Sequence, residues 1–278
     1  MKRVLTETEL EKFEGYLLKE EKSLRTVEKY LRDVGRFITF ANGREIEKST
    51  VIAYKTMLEK SYAVSSANTM LAALNGFFRF MEWHDLTVKQ FKFQNRSFCP
   101  QDKELSREEY ARLVTTALKQ GNERLSLILQ TVCSTGIRIS ELEYITAETV
   151  RRGETVVSCK GKKRVILLVP DLQKKLERYV RKNGIEGKLF VTNSGKPVCR
   201  TNVWREMKRL AADADVPENK VFPHNLRHLF ARTFYSMDKD IVKLADILGH
   251  TNINTTRIYT VTTADEYKKK MEEMMLII

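Results

Sequence analysis

Six side chains between residues 138 and 259 have the types and spacing to break a phosphate ester without a metal ion. Tyr259 lies nine residues after His250, across a polar stretch rich in Asn and Thr. Arg138 follows Thr135-Gly136-Ile137, and Glu141 lies three residues beyond it. His224 and Arg227 stand three apart in His224-Asn225-Leu226-Arg227-His228, on one face if that segment is helical. Displacement at phosphorus needs a nucleophilic hydroxyl, cations for the non-bridging oxygens and an acid for the leaving oxygen. Arginine suits the second role, because its planar and permanently charged fork matches phosphate geometry. Tyrosine suits the first, because an aryl phosphate ester keeps the energy of the broken bond for resealing. Tyr259 is one of 10 tyrosines, and only its place after His250 singles it out. Arg138 follows an apolar run and a glycine turn, where a solvated charge is not expected. His250, after Gly249, can hydrogen-bond a phosphate oxygen, and Glu141 can hold Arg138 or the histidine in place.

The elements that position these groups come from a chain of 278 residues, enough for one large domain or two ordinary ones. Hydrophobic residues make up 42%, so a packed core is expected rather than disorder. The formal net charge of +13 suits a polyanion, with nucleic acid the first candidate; a basic protein with solvated lysines is the plain alternative. Residues 1–97 hold 17 Lys+Arg against 13 Asp+Glu and residues 98–278 hold 32 against 23, as expected if both halves touch one polyanion. No apolar run approaches the roughly 18 residues that span a bilayer, so no membrane partner is expected. Met1 to Glu7 lacks the apolar block of a signal peptide. Cys99, Cys133, Cys159 and Cys199 show no CxxC or metal-ligand spacing and read as reduced thiols of a cytoplasmic protein.

Periodicity predicts a mainly helical fold with one small antiparallel sheet. Helices are expected over 6–20, opened by a Thr6/Glu9 capping box, over 23–41, from Ser49 or Thr50 to 60, and from 65 past 80. The pattern breaks over 89–103, which places a linker at 98–103 between an N-terminal domain, 1–97, and a second domain, 104–278. Beyond it, Ser106 and Glu109 form a capping box for a helix to about 119, and 126–134 reads as a buried helix. Residues 154–169 read as a hairpin tipped with Lys160-Gly161-Lys162-Lys163, and 189–191 as a third short strand. Helices follow at 170–182, 201–214, 223–237, 240–248 and 263–275. In the first domain Arg25, Lys29, Arg32 and Arg36 fall on neighbouring turns and can follow a phosphate backbone. Ser65, Ser66 and Asn68, at a helix start, can donate to phosphates or serve as ordinary caps.

The boxes Thr135-Gly136-Ile137-Arg138, His224-x-x-Arg227 and Leu248-Gly249-His250 with Tyr259 resemble those of the tyrosine site-specific recombinases, the phage-integrase family that includes the Xer proteins. The resemblance covers most of residues 104–262 and rests on several motifs in the family's order. It implies an N-terminal four-helix SAM-like core-binding domain and a C-terminal catalytic domain of the DNA breaking-rejoining fold. It also implies cleavage and rejoining through a 3′-phosphotyrosine, with no metal and no cofactor. The implied partners are double-stranded DNA with paired inverted half-sites and three further copies of the chain, a tetramer on DNA, with room for accessory DNA-bending proteins. The task can be integration, excision, inversion or resolution. The implied active site is Arg138, Lys160, His224, Arg227, His250 and Tyr259, with Glu141 as the supporting carboxylate. Lys160 takes the general-acid role and His224 the general-base role. The lysine run is one residue shorter than the Xer-like G-K-G-x-K-x-R, which leaves Lys162 and Lys163 as alternatives for the acid and as candidate DNA contacts.

Three rival readings stand beside this one. A DNA-binding protein without cleavage should have lost a catalytic side chain, and none is missing. A type IB topoisomerase shares the chemistry and would relax plasmids lacking any specific site. A metalloenzyme would use His224 and His228 at i, i+4, but Asn225 stands where that motif has Glu and no third ligand suggests itself.

Overall fold

The computed structural model describes residues 3, 5, 7–92, 103–159, 162–192, 194–259, 268 and 271–275. The chain divides into two compact units, Met1–Asn95 and Arg96–Ile278.

The first unit consists of α1 (Glu7–Lys19), α2 (Leu24–Ala41), α3 (Lys48–Ser61) and α4 (Val64–Phe80). Phe13, Leu17, Val34, Phe37, Leu58, Leu74, Phe77 and Phe78 recur at helical spacing and are buried together. Phe13 meets Phe77 edge-on at 5.2 Å and Phe37 meets Phe78 at 5.7 Å. Each such ring contributes about 1.5–3 kcal/mol through its buried area. Ser23 caps α2 through the Thr26 N–H at 3.3 Å, and Asn42 ends it in a left-handed turn, φ +48°. The Thr6 half of the expected first capping box lies outside the described residues. α3 and α4 each begin earlier than the polar cluster that was expected to open them. Their N-cap residues are Glu47 and Ala63, neither with a side-chain cap bond.

In the second unit, Ser106 and Glu109 form the reciprocal capping box of α5 (Arg107–Lys119). Then come α6 (Glu123–Thr135), a 3-10 turn at Ile139–Tyr144 and α7 (Ala147–Arg152), a short helix with no counterpart in the sequence reading. The strands β1 (Glu154–Cys159) and β2 (Lys162–Leu167) pair antiparallel, Thr155 opposite Ile166 and Val157 opposite Arg164. Next are α8 (Pro170–Asn183), α9 (Arg200–Asp213), α10 (Pro223–Asp238) and α11 (Ile241–Leu248). α6 begins three residues before the apolar run because Asn122 caps it, accepting from the Leu125 N–H at 3.0 Å. It runs through the core, with Leu127, Ile128, Leu129 and Val132 buried against α5, α8, α9 and α10.

The third strand expected at 189–191 is not part of the sheet, whose order is β1-β2. Leu189 and Phe190 are buried, but their backbone pairs one bridge at a time, with Ile145 on one side and Val198 on the other. An apolar triplet with two buried members therefore reads like a strand without a ladder to join. Of the expected last helix, Lys268 and Met271–Glu273 are helical and the rest lies outside the described residues or in a turn. Among the described residues no helix is long and apolar enough to cross a membrane.

Candidate active site

α6 ends at Gly136, φ +65°, where a Cβ would come within 2.5 Å of the Phe230 ring and 3.0 Å of Leu248. Only glycine allows this left-handed turn at such close quarters. The turn delivers Arg138 to the start of the 3-10 segment, where Glu141 closes back on it. The buried Glu141 carboxylate accepts from the Arg138 backbone N–H at 2.7 Å and from Arg138 Nη1 at 3.0 Å. It also accepts both forks of Arg164, at 2.9 and 2.7 Å. Burial pushes its pKa up, but the bonds from Arg164 and Arg138 outweigh burial and hold it below the ordinary value.

Arg164 closes the lysine run of the hairpin, where the sequence assigns it no role. Its signal is periodicity: on β2 it shares the inward face with Ile166, and Leu168 continues that face beyond the strand, so a charge there needs a buried partner. Its side chain also fills the space beside Gly249, where a Cβ would meet it at 2.9 Å.

Arg227, on the first turns of α10, is 1% exposed. Its Nη1 donates to the Gly136 carbonyl, and its Nη2 donates to the Leu248 carbonyl at 2.7 Å and meets His250 Nε2 at 3.0 Å. One guanidinium thus ties the end of α6 to the end of α11. Burial, then the charge of Arg138, brings its pKa down to about 10, which leaves it charged at neutral pH.

His250 follows the left-handed Gly249 cap of α11. Its Nδ1 lies 2.9 Å from Thr256 Oγ1. Burial and the charges of Arg227, Arg138 and Arg164 lower its pKa to about 4, so its ring is neutral. Tyr259 is 3% exposed, its ring stacked on His250 at 6.1 Å and edge-on to His228 at 5.0 Å. Burial raises its pKa, while Arg227 and Arg138 draw it back. His224 lies one helical turn before His228, their rings 4.6 Å apart. Part of the His224 ring is open to solvent, yet crowding and then the charges of Arg227, Arg200 and Arg138 keep its pKa below the ordinary value. Burial and the neighbouring His224 and Arg227 take His228 down to about 4, and its Nε2 has no partner among the described residues.

The structure therefore brings Arg138, Glu141, His224, Arg227, His250 and Tyr259 together. Three guanidiniums face one carboxylate, which leaves an excess of fixed positive charge beside a tyrosine hydroxyl. That is an electrostatic site for a phosphate gaining charge during displacement. Lys160 lies outside the described residues, as does the side chain of Lys162; Lys163 is exposed on β2. Among the described residues no three His, Cys, Asp or Glu side chains gather to hold a metal ion.

The surface candidates of the first unit divide. Arg25, Arg32 and Arg36 are exposed on one face of α2. Lys29 is half-buried and paired with the buried Asp33, which also has Arg32 Nε at 3.7 Å. Ser65 and Ser66 are exposed in the first turn of α4. Asn68 is engaged elsewhere: its amide donates to the Phe91 carbonyl at 2.9 Å and accepts the Phe91 N–H at 2.8 Å. It fastens the segment after α4 with its carbonyl oxygen and one of its two amide N–H groups.

Residues 103–266 match the family model described as the phage integrase family, and residues 10–85 match its N-terminal SAM-like domain. Tyrosine recombinase XerA of Pyrococcus horikoshii is 30% identical over 278 residues, covering 96% of this chain and 94% of its own. XerA of Thermococcus kodakarensis is 28% identical, covering 96% and 95%. A crystal structure of XerA recombinase superposes with TM-score 0.53 at 25% identity, covering 97% of this chain and 99% of its own. A lambda integrase dimer bound to a COC′ core site shares the fold, with TM-score 0.74 at 18% identity and coverage of 92% and 77%. The chain belongs to the phage integrase family and is a site-specific tyrosine recombinase.

Proposed function

We propose that the Tyr259 hydroxyl attacks a DNA phosphodiester, forming a 3′-phosphotyrosyl bond as the bond to the 5′-oxygen breaks. Arg138 and Arg227 bind the non-bridging oxygens and neutralise the charge that grows on them. His250 adds a hydrogen bond to the same oxygens. His224 takes the tyrosine proton, and its depressed pKa keeps it unprotonated and ready to do so at neutral pH. Lys160 delivers a proton to the leaving 5′-oxygen, with Lys162 and Lys163 as the alternatives. Glu141 holds Arg138 in place. Attack by the 5′-hydroxyl of another strand reverses each step and completes the exchange.

The observation that carries this reading is Arg227, which joins the ends of α6 and α11 and lies close enough to the Tyr259 hydroxyl to draw its pKa down. We further propose that residues 1–97 form the DNA-gripping domain, with Arg25, Arg32 and Arg36 along the backbone and Lys29 screened by Asp33. The working assembly is four protomers on two DNA sites of inverted half-sites, acting in the cytoplasm, with accessory DNA-bending proteins as optional partners. A solved structure with TM-score 0.73 is a lambda integrase tetramer on a Holliday junction, which supports that stoichiometry.

Inverted repeats flanking the gene supply the test DNA. Wild type should exchange strands between two plasmids carrying the repeats and leave plasmids without them supercoiled. Relaxation of plasmids lacking any repeat would instead support a topoisomerase.

A further inference from the structure

The hydrogen bonds around His250 fix its proton. A guanidinium has donors only, so at the 3.0 Å contact with Arg227 Nη2 the His250 Nε2 must be the acceptor. The ring is neutral, so its single proton sits on Nδ1 and is donated to Thr256 Oγ1 at 2.9 Å. In that tautomer His250 turns a lone pair toward the site. A phosphate oxygen also has only lone pairs, so this His250 cannot bond it.

Thr256 is 0% exposed, and its hydroxyl proton finds no acceptor among the described residues. A hydroxyl both donates and accepts. Once Arg227 Nη2 turns from His250 to an arriving phosphate, the reverse arrangement satisfies every group. The Thr256 hydroxyl then donates to Nδ1, and Nε2–H donates to the phosphate. The change is proton-neutral: Nδ1 loses a proton to water and Nε2 takes one from water. Thr256 also belongs to the nucleophile's own turn. Its carbonyl accepts the Tyr259 N–H at 2.9 Å, and its N–H donates to the Ile253 carbonyl at 2.8 Å.

We infer that Thr256 is a positioning residue of this recombinase, whose hydroxyl holds His250 in the Nδ1–H tautomer before DNA binds and supports the Nε2–H tautomer once a phosphate has drawn Arg227 away. This inference rests on the proposed role of His250 at the phosphate. The charged and titratable groups facing the ring are Arg227, Arg138, Arg164, His224 and Tyr259, and none replaces Thr256 at Nδ1.

The test reads the ring nitrogens of His250 by NMR in protein labelled with 15N-histidine. The chain has 4 histidines, and the one signal set that is lost in His250→Gln is that of His250. Without DNA the wild type should show Nδ1–H. Tyr259→Phe bound to an uncleaved site should show Nε2–H. Thr256→Val, which keeps the shape and removes the hydroxyl, should bind DNA normally and cleave about 10- to 100-fold more slowly, by analogy with the loss of the hydrogen-bond partner that orients a metal-ligating histidine. Thr256→Ser should cleave like wild type. An Nε2–H signal in DNA-free wild type overturns the inference, and so does wild-type cleavage by Thr256→Val. The nitrogen signals need no cleavage, so a wrong nucleophile assignment would show separately, as cleavage by Tyr259→Phe.

Discussion

Glu141→Gln tests how the buried carboxylate holds the arginines. Glu141 is 3% exposed and accepts four hydrogen bonds, two from Arg138 and two from Arg164. Glutamine keeps one acceptor oxygen, so two of the four contacts become donor against donor. The two guanidiniums also lose their counter-ion. Hydrogen bonds to charged groups contribute about 1.5–3 kcal/mol each, and removing one partner of a buried pair costs about 3–5 kcal/mol. The expected loss is therefore about 3–5 kcal/mol in the second unit at neutral pH. The sign with pH follows from the Glu141 pKa, which folding depresses below its ordinary 4.5. Its contribution is complete above that value and is lost as pH falls through the lower folded value. The gap between wild type and variant should thus close in acid. Urea unfolding in a Trp83→Phe background, followed by Trp204 on α9, reads the second unit alone. Equal midpoints at neutral pH, or a gap that widens in acid, would show that the Glu141 carboxylate does not hold the two arginines.

Further outcomes follow from single elements. Gly136→Ala should lower stability by more than about 1 kcal/mol and abolish cleavage, because its φ of +65° and the Phe230 ring leave no room for a methyl; thermal unfolding and a cleavage assay read both. Lys160→Ala should slow cleavage of ordinary DNA by about 10²–10⁴-fold and recover on a 5′-bridging phosphorothiolate, whose leaving thiolate needs no proton. Recovery with Lys162→Ala or Lys163→Ala instead would move the acid. Deleting residues 264–278 should spare binding to one half-site and remove cooperative occupancy of two, because Met271 on the last helical segment and Met274 in the turn after it stand 59% and 61% exposed, an apolar surface suited to a neighbouring protomer. Gel-shift titration on one and on two half-sites measures it.

Local signals were legible in the sequence because their physics is local. The Ser106/Glu109 capping box, the Ser23 cap and the Asn42 stop each act within a few residues. The β1–β2 hairpin announces itself by its change of period. What stayed hidden depends on groups far apart in the chain. Glu141 and Arg164 are 23 residues apart, and they meet only because the 3-10 segment packs against the hairpin. Asn68 grips the backbone of Phe91, also 23 residues away, through its amide, a contact that no local pattern announces. The apolar triplet at 189–191 carried strand composition, but burial between two loops satisfied it without a sheet. Thr256 carried no signal, since one threonine among several gains meaning only from the histidine nitrogen it meets.

The most direct test of the central claim is the identity of the residue joined to DNA. A suicide substrate nicked beside the scissile phosphate traps the covalent complex, and nuclease treatment leaves a nucleotide on the protein. Trypsin cuts after Arg257 and Lys268, so one peptide carries both Tyr259 and Tyr267. Fragmentation by mass spectrometry should place a 3′-phosphotyrosyl nucleotide on Tyr259, with no adduct from Tyr259→Phe. A nucleotide on Tyr267 or any other residue, or an adduct that persists in Tyr259→Phe, would contradict the account.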